Sequence, residues 1–187
     1  DSHAADVTTL MKEADLALFA AKSSGRGVWK EYSESFKARV RGQRELANDL
    51  SQAIESDNLN LQFQPIVDAA TGSVTGVEAL SRWYHPVRGT VAPSEFIPIA
   101  EDNGIIISLG DRVVEHAINA SLDMPDHTKV GINVSPLQLH SSRLLSLITR
   151  KLEETQIDPT RIELEITESV FLSDNAFILD RLRKLKE

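Results

Sequence analysis

The chain has 187 residues, 41% of them hydrophobic, with 20 Lys and Arg against 28 Asp and Glu and a formal net charge of −8. So acidic a chain is poorly suited to a DNA or RNA polymer, whose binding leans on Lys and Arg. The absence of cysteine excludes disulfides and thiolate metal sites, and the five His form no H-x-x-x-H pair for zinc.

No apolar run approaches the roughly 18 residues that span a bilayer. The N-terminus does not read as a secretory leader. The first residue is not Met, so the chain reads as cut from something longer.

Residues 6 to 24 carry a helical pattern. Val7, Leu10, Met11, Ala14, Leu18 and Ala21 recur at three- and four-residue spacing, and Gly25 stands where a C-terminal cap belongs. Val28-Trp29 reads as a short strand or extended stretch. From Glu31 to about Ser56 a charged segment turns helical, with an apolar stripe at Leu46, Leu50, Ala53 and Ile54. Asp57-Asn58 ends it.

Leu59 to Val67 alternates as a strand, and Pro65 places it where one ladder bond is dispensable. After the turn at Ala70–Ser73 comes Gly76-Val77-Glu78-Ala79-Leu80-Ser81-Arg82-Trp83, the partner of an antiparallel hairpin. Alternation puts Glu78, Leu80 and Arg82 on one face. An acid and a cation there read either as a surface pair or as a site for a metal and a phosphate.

His85 to Gly89 reads as a loop. Pro93 opens a helix to Glu101, stopped by Asn103-Gly104, and Ile105 to Leu122 is a longer helix with Gly110 inside it. Val130 to Ser135 is a strand in which Asn133 and Ser135 share a face. Helix follows over about 141 to 155. Arg161 to Thr167 is a strand with Ile162, Leu164 and Ile166 on one side and Glu163, Glu165 and Thr167 on the other. Ser173 or Asp174 caps a last helix carrying Ile178, Leu182 and Leu185. Strand, helix, strand, helix predicts a parallel sheet in an α/β fold. The four His at 85, 116, 127 and 140 read as surface or loop residues.

The stretch Ala14 to Arg26 resembles the last helix of GGDEF (diguanylate cyclase) domains, close to A-D-x-A-L-Y-x-A-K-x-x-G-R-N. Phe19 replaces the usual Tyr and Gly27 the usual Asn. The resemblance makes Lys22 and Arg26 the positions that contact GTP phosphates in that family. One helix cannot build a GTP site, so here they read as cations near a helix C-terminus, favoured by its dipole.

From Leu59 onward the chain resembles the EAL family of cyclic di-GMP phosphodiesterases. The resemblance rests on landmarks in order: Phe63-Gln64-Pro65-Ile66-Val67-Asp68, Val77 to Trp83, Pro93 to Glu101, Gly131-Ile132-Asn133-Val134-Ser135 and Glu163-Leu164-Glu165-Ile166-Thr167-Glu168. It implies a partial TIM-like (β/α) barrel preceded by the last helix of a GGDEF domain. The implied boundaries are residues 1–30 for the GGDEF remnant, 31–45 for a helical linker and 46–187 for the N-terminal part of the EAL domain. The family's Asp-Asp segment, Lys, and later Glu and Gln would lie downstream.

The implied activity is hydrolysis of one phosphodiester of cyclic di-GMP with two Mg²⁺ or Mn²⁺ ions; the alternative is a module that binds the nucleotide without turnover. Glu78, Asn133 and Glu165 match the family's metal ligands, all oxygen donors and each expected late in its strand. Arg82 matches the residue on substrate phosphate. Gln64 and Leu80 match pocket-lining positions, and Glu168 the acid that supports the metal site. Read without the family, Glu165 is an outward acid of an amphipathic strand and Asn133 a polar residue before a turn. The resemblance further implies work in the cytoplasm, with any membrane anchor upstream, and a homodimer or a missing segment to complete the barrel.

Overall fold

The computed structural model describes residues 6–23, 28–166 and 176–186. The chain divides into two units, Asp1–Asp49 and Leu50–Glu187. In the first, helix α1 runs Val7–Ser23, with Val7, Leu10, Met11 and Leu18 exposed. Residues 28–33 take no regular structure, so of the two readings of Val28-Trp29, short strand or extended stretch, the strand is absent. Helix α2, Glu34–Glu55, crosses the division between the units. Its predicted stripe of Leu46, Leu50, Ala53 and Ile54 is buried. It ends where Asp57 adopts a positive φ of 57° and Asn58 N–H bonds back to the Ala53 carbonyl at 2.8 Å.

The second unit is built on a sheet of β1 (Leu59–Val67), β2 (Val74–His85), β3 (Gly89–Val91), β4 (Lys129–Asn133) and β5 (Ile162–Glu165). β1 and β2 form the expected antiparallel hairpin, in register from Leu59 opposite Trp83. Asp68 ties its turn by accepting the backbone N–H groups of Ala70 and Thr71 and the Thr71 hydroxyl. β2 pairs β4, and β4 pairs β5, both in parallel. The sheet is therefore mixed, open, and ordered β1-β2-β4-β5, with β3 beside β2.

The helices are α3 (Pro93–Asp102), α4 (Ile106–Ser121), α5 (Pro136–Leu139), α6 (Arg143–Thr155) and α7 (Ala176–Lys186). The loop expected at 85–89 is a tight turn at 86–88, between His85 at the end of β2 and Gly89 at the start of β3: the chain turns back on β2, and buried His85 holds the turn by accepting Val87 and Arg88 N–H at Nδ1, 3.1 Å each. His85 is thus a core residue and not a surface one. His116 keeps partial exposure and pairs with Asp57 at 3.0 Å. β4 stops at Asn133, two residues short of the expected strand end, and Pro136, expected to close that strand, opens α5. This helix is too short for periodicity to reveal, and Ser135 is its cap rather than a strand residue. A 3-10 turn at Pro159–Arg161 takes the first residue of the strand expected from Arg161. Thr167 and the cap expected at Ser173 or Asp174 lie outside the described residues.

Pleating sorts the sheet into two faces. On one, Ala79 of β2 and Val130 and Ile132 of β4 are buried. α4 packs against β4 and brings buried Leu109, Val114, Ala117 and Ile118. Trp83 and Phe96 of α3 meet edge to face at 5.9 Å and are almost wholly enclosed; truncating either to Ala would cost about 3–5 kcal/mol. Gly110 within α4 has a packing reason. A Cβ there would run into the Gln138 side-chain amide.

Within the described sheet, β1 and β5 have no outer neighbour. Ile66, Val67 and Val74 are exposed at the hairpin end. Unpaired edge N–H and C=O groups beside apolar surface template association. Residues 1–187 expressed alone are therefore expected to self-associate. Light scattering that found a monodisperse monomer with a cooperative melting transition would contradict this.

Candidate functional site

The second face of the sheet is polar. Register sets Gln64 directly opposite Glu78 across the β1–β2 ladder. It sets Glu78 level with Gly131 and Glu163, and Asn133 level with Glu165. Partners level with one another project to the same side. Four strands thus deliver Gln64, Glu78, Asn133 and Glu165 to one patch, with Gly131 in their midst.

Gly131 is what lets the patch close. A Cβ at this position would strike Glu165 Oε1, so the carboxylate lies over the glycine, in the space a side chain would fill. Asn133 donates from Nδ2 to Glu78 Oε1 at 2.6 Å. That leaves the amide carbonyl oxygen, the atom a hard cation needs. The Glu165 carboxyl pKa is raised, first by burial and then by the charges of Glu78 and Glu163. Two acids are held near each other with only an amide N–H bridging toward one of them. Among the described residues no group of three His, Cys, Asp or Glu forms a metal cage. The donor set here is two carboxylates and a carboxamide. All three are hard oxygen donors, and the crowding of like charge is of the kind a divalent cation relieves.

Asn133 and Glu165 are the last residues of their strands. Glu78 is not. It lies well inside β2, because β2 runs on into its hairpin with β3. The parallel pairing of β2 with β4 nevertheless stops at Ala79, so Glu78 is still near the end of the parallel part of the sheet.

Beyond the strand ends lies a cavity of about 490 Å³. Leu80, Arg82, Asn133, Ser135, Glu165 and, from α3, Glu101 line it. Gln64 stands outside that lining and meets the patch only through Glu78. Arg82 is anchored: Nε donates to Gln62 Oε1 at 2.9 Å and a terminal nitrogen donates to the Ser81 carbonyl at 3.0 Å. Gln62 in turn donates to the Tyr84 hydroxyl at 3.2 Å. The guanidinium keeps further N–H donors and is open to the cavity, a geometry suited to an anionic oxygen.

Gln62 and Glu101 were not singled out from the sequence. For Gln62 a signal existed: it shares the polar side of β1 with Gln64 and the face of β2 that carries Arg82. For Glu101 the signal was its place at the end of the Pro93–Glu101 landmark, although by itself it reads as an ordinary helix-end acid. Glu168 and Arg26 lie outside the described residues. Lys22 lies on α1 in the other unit.

Residues 47–187 match the EAL domain family. An uncharacterized signaling protein of Caulobacter vibrioides is 44% identical over 177 residues, 95% of this chain and 22% of that protein. The bifunctional diguanylate cyclase/cyclic di-GMP phosphodiesterase MucR of Pseudomonas aeruginosa is 36% identical over 169 residues, 88% of this chain and 25% of its own length. The solved MucR phosphodiesterase in complex with c-di-GMP superimposes with a TM-score of 0.70 at 35% identity, covering 76% of this chain and 59% of that one. The chain thus spans about a quarter of the length of these curated relatives.

The raised Glu165 pKa has a consequence for stability. Its neutral form is favoured in the folded, metal-free state, so its stabilising contribution is full below the ordinary carboxylate pKa and is lost as pH rises through the raised value. Glu165→Gln in the complete protein, free of metal, should therefore melt higher than wild type at pH 7, with the gap closing toward pH 4. A melting temperature equal to or below wild type at pH 7 would show that Glu165 is an ordinary solvated acid.

Proposed function

Because the chain belongs to the EAL domain family, we propose that its polar sheet face binds cyclic di-GMP and, in the complete protein, hydrolyses one of its phosphodiester bonds. The observation that carries this reading is the gathering of Glu78, Asn133 and Glu165 around Gly131, beside a cavity that Arg82 enters. Relatives in the family include cyclic di-GMP phosphodiesterases of Escherichia coli and Pseudomonas aeruginosa.

Glu78, Asn133 and Glu165 would hold a Mg²⁺ or Mn²⁺ ion; a second ion would draw on donors outside the described residues. When bound, such ions supply an activated water and charge stabilisation for an in-line displacement at phosphorus. The chain's own residues do the rest. Gln62 fixes the Arg82 guanidinium so that its free donors fork onto a phosphate oxygen. Leu80 offers an apolar wall to a base or ribose. Gln64, opposite Glu78, is placed to steady that carboxylate or to reach the ligand. Glu168 follows β5 by three residues, and we assign it the support of the loop beside the metal patch.

We further read residues 1–30 as the end of a GGDEF domain, with Lys22 and Arg26 at its phosphate-contact positions, residues 31–45 as a linker and residues 46–187 as the first part of an EAL barrel. The open edges of β1 and β5 leave two ways to close that barrel, further chain or a second copy. Among the described residues no helix is long and apolar enough to cross a membrane. We place the site in the cytoplasm, where a signalling nucleotide is made and consumed.

Two substitutions test the reading in the complete protein. Glu78→Gln keeps shape but loses charge, and should cut turnover of cyclic di-GMP by more than about 100-fold, since even changes behind a metal ligand cost 10–100-fold. Near wild-type turnover with Mg²⁺ or Mn²⁺ would sink the metal assignment. Arg82→Ala should weaken nucleotide binding by about 2 kcal/mol, the worth of a charged hydrogen bond, and leave metal affinity alone. Calorimetric titrations of metal and nucleotide separate the two. Wild-type protein that binds the nucleotide and never cleaves it would favour a non-catalytic module instead.

A further inference from the structure

Asn133 is the most exposed of the three donors on the patch and the last residue of its strand. The β ladder fixes the chain on its N-terminal side. On its C-terminal side the chain leaves the sheet, and a side chain at such a point is only as well placed as the turn that follows. That turn is held from β5, α3 and α5 at once. Val134 N–H donates to the Glu165 carbonyl at 2.8 Å, the last backbone bond between the two strands. Ser135 Oγ donates to Glu101 Oε1 of α3 at 2.7 Å and accepts Leu137 N–H of α5 at 3.3 Å. Ser135 N–H donates to Gln138 Oε1 at 3.0 Å. Gln138 is itself buried, and it passes α4 only because position 110 is glycine.

We propose that Ser135 is a positioning residue for Asn133, locked by Glu101 and Gln138, and that the lock sets the metal affinity of the Glu78–Asn133–Glu165 patch. The inference rests on the metal reading given above. A simpler role is open to Ser135: capping α5, which it does through Leu137 and Gln138. Capping alone does not account for Glu101. That carboxylate comes from a different helix, more than thirty residues earlier, and bonds the side of the hydroxyl that the cap does not use. A four-residue helix also has little of its own to stabilise. The atoms gathered here restrain one backbone point, two residues from the amide that touches Glu78.

The test uses the complete protein and Mn²⁺ alone, titrated by calorimetry, with thermal melting measured in parallel. Ser135→Ala should weaken Mn²⁺ binding about tenfold, the lower end of what outer-layer changes cost at metal sites. Ser135→Thr keeps the hydroxyl and should restore the affinity. Glu101→Ala leaves α5 capped and should weaken Mn²⁺ binding to a similar degree; it also carries the test if Ser135→Ala does not fold. A lower melting temperature for Ser135→Ala with unchanged Mn²⁺ affinity would reduce Ser135 to a cap and overturn the proposal. So would wild-type affinity in Glu101→Ala, or no recovery in Ser135→Thr. Wild-type protein that takes up no Mn²⁺ would overturn the metal reading itself and this proposal with it, a result distinct from the others.

Discussion

Two carboxylates are brought onto one face of a sheet across a residue with no side chain. Much of the site follows from that constraint. Glu78 and Glu165 come from strands that are not neighbours, since β4 lies between them. Any side chain on β4 at position 131 would occupy the space the Glu165 carboxylate now fills. Glycine weakens a strand interior, and here that cost accompanies a close approach of charge. The raised Glu165 pKa is the electrostatic mark of the same arrangement.

The neighbouring elements are arranged to tolerate that crowding. The opposite face of the sheet is apolar and covered, with Val130 and Ile132 fully buried. It supplies stability that the polar face does not. Trp83, Phe96 and the buried face of α4 fix where β2 and β4 lie, and so where Glu78 and Asn133 emerge. The glutamine-anchored Arg82 and the serine at the start of α5 work at the rim. Each is held by a partner on another element, so the donors keep their directions without a ligand present.

The β2–β3 hairpin shows how local detail moves a site residue. Even a strand that ended at Trp83 would leave Glu78 five residues short of its end. The buried His85 ring, gripping the turn through Val87 and Arg88, carries the strand further and leaves Glu78 in its middle. The useful boundary is not where the strand stops but where its parallel pairing stops.

The sequence by itself determined the elements with a full period. The hairpin from Leu59, helices α2, α3, α4 and α6, and the alternation that puts Glu78 with Arg82 and Glu163 with Glu165 are all local properties of the chain. The ordered motifs pointed to the EAL family, and they named Glu78, Asn133, Glu165 and Arg82 as residues to look for. Tertiary structure alone decided which of those side chains meet. Strand register across β2, β4 and β5 is a long-range property, fixed by the packing of the apolar face and invisible to a window of residues. It decided that Gly131 separates the two acids, that Gln62 rather than Gln64 holds Arg82, and that an acid on α3 reaches a serine beyond β4. Short elements escaped for the complementary reason. A three-residue β3 and a four-residue α5 carry too little pattern to be read, and exist because neighbouring strands and side chains complete their hydrogen bonds.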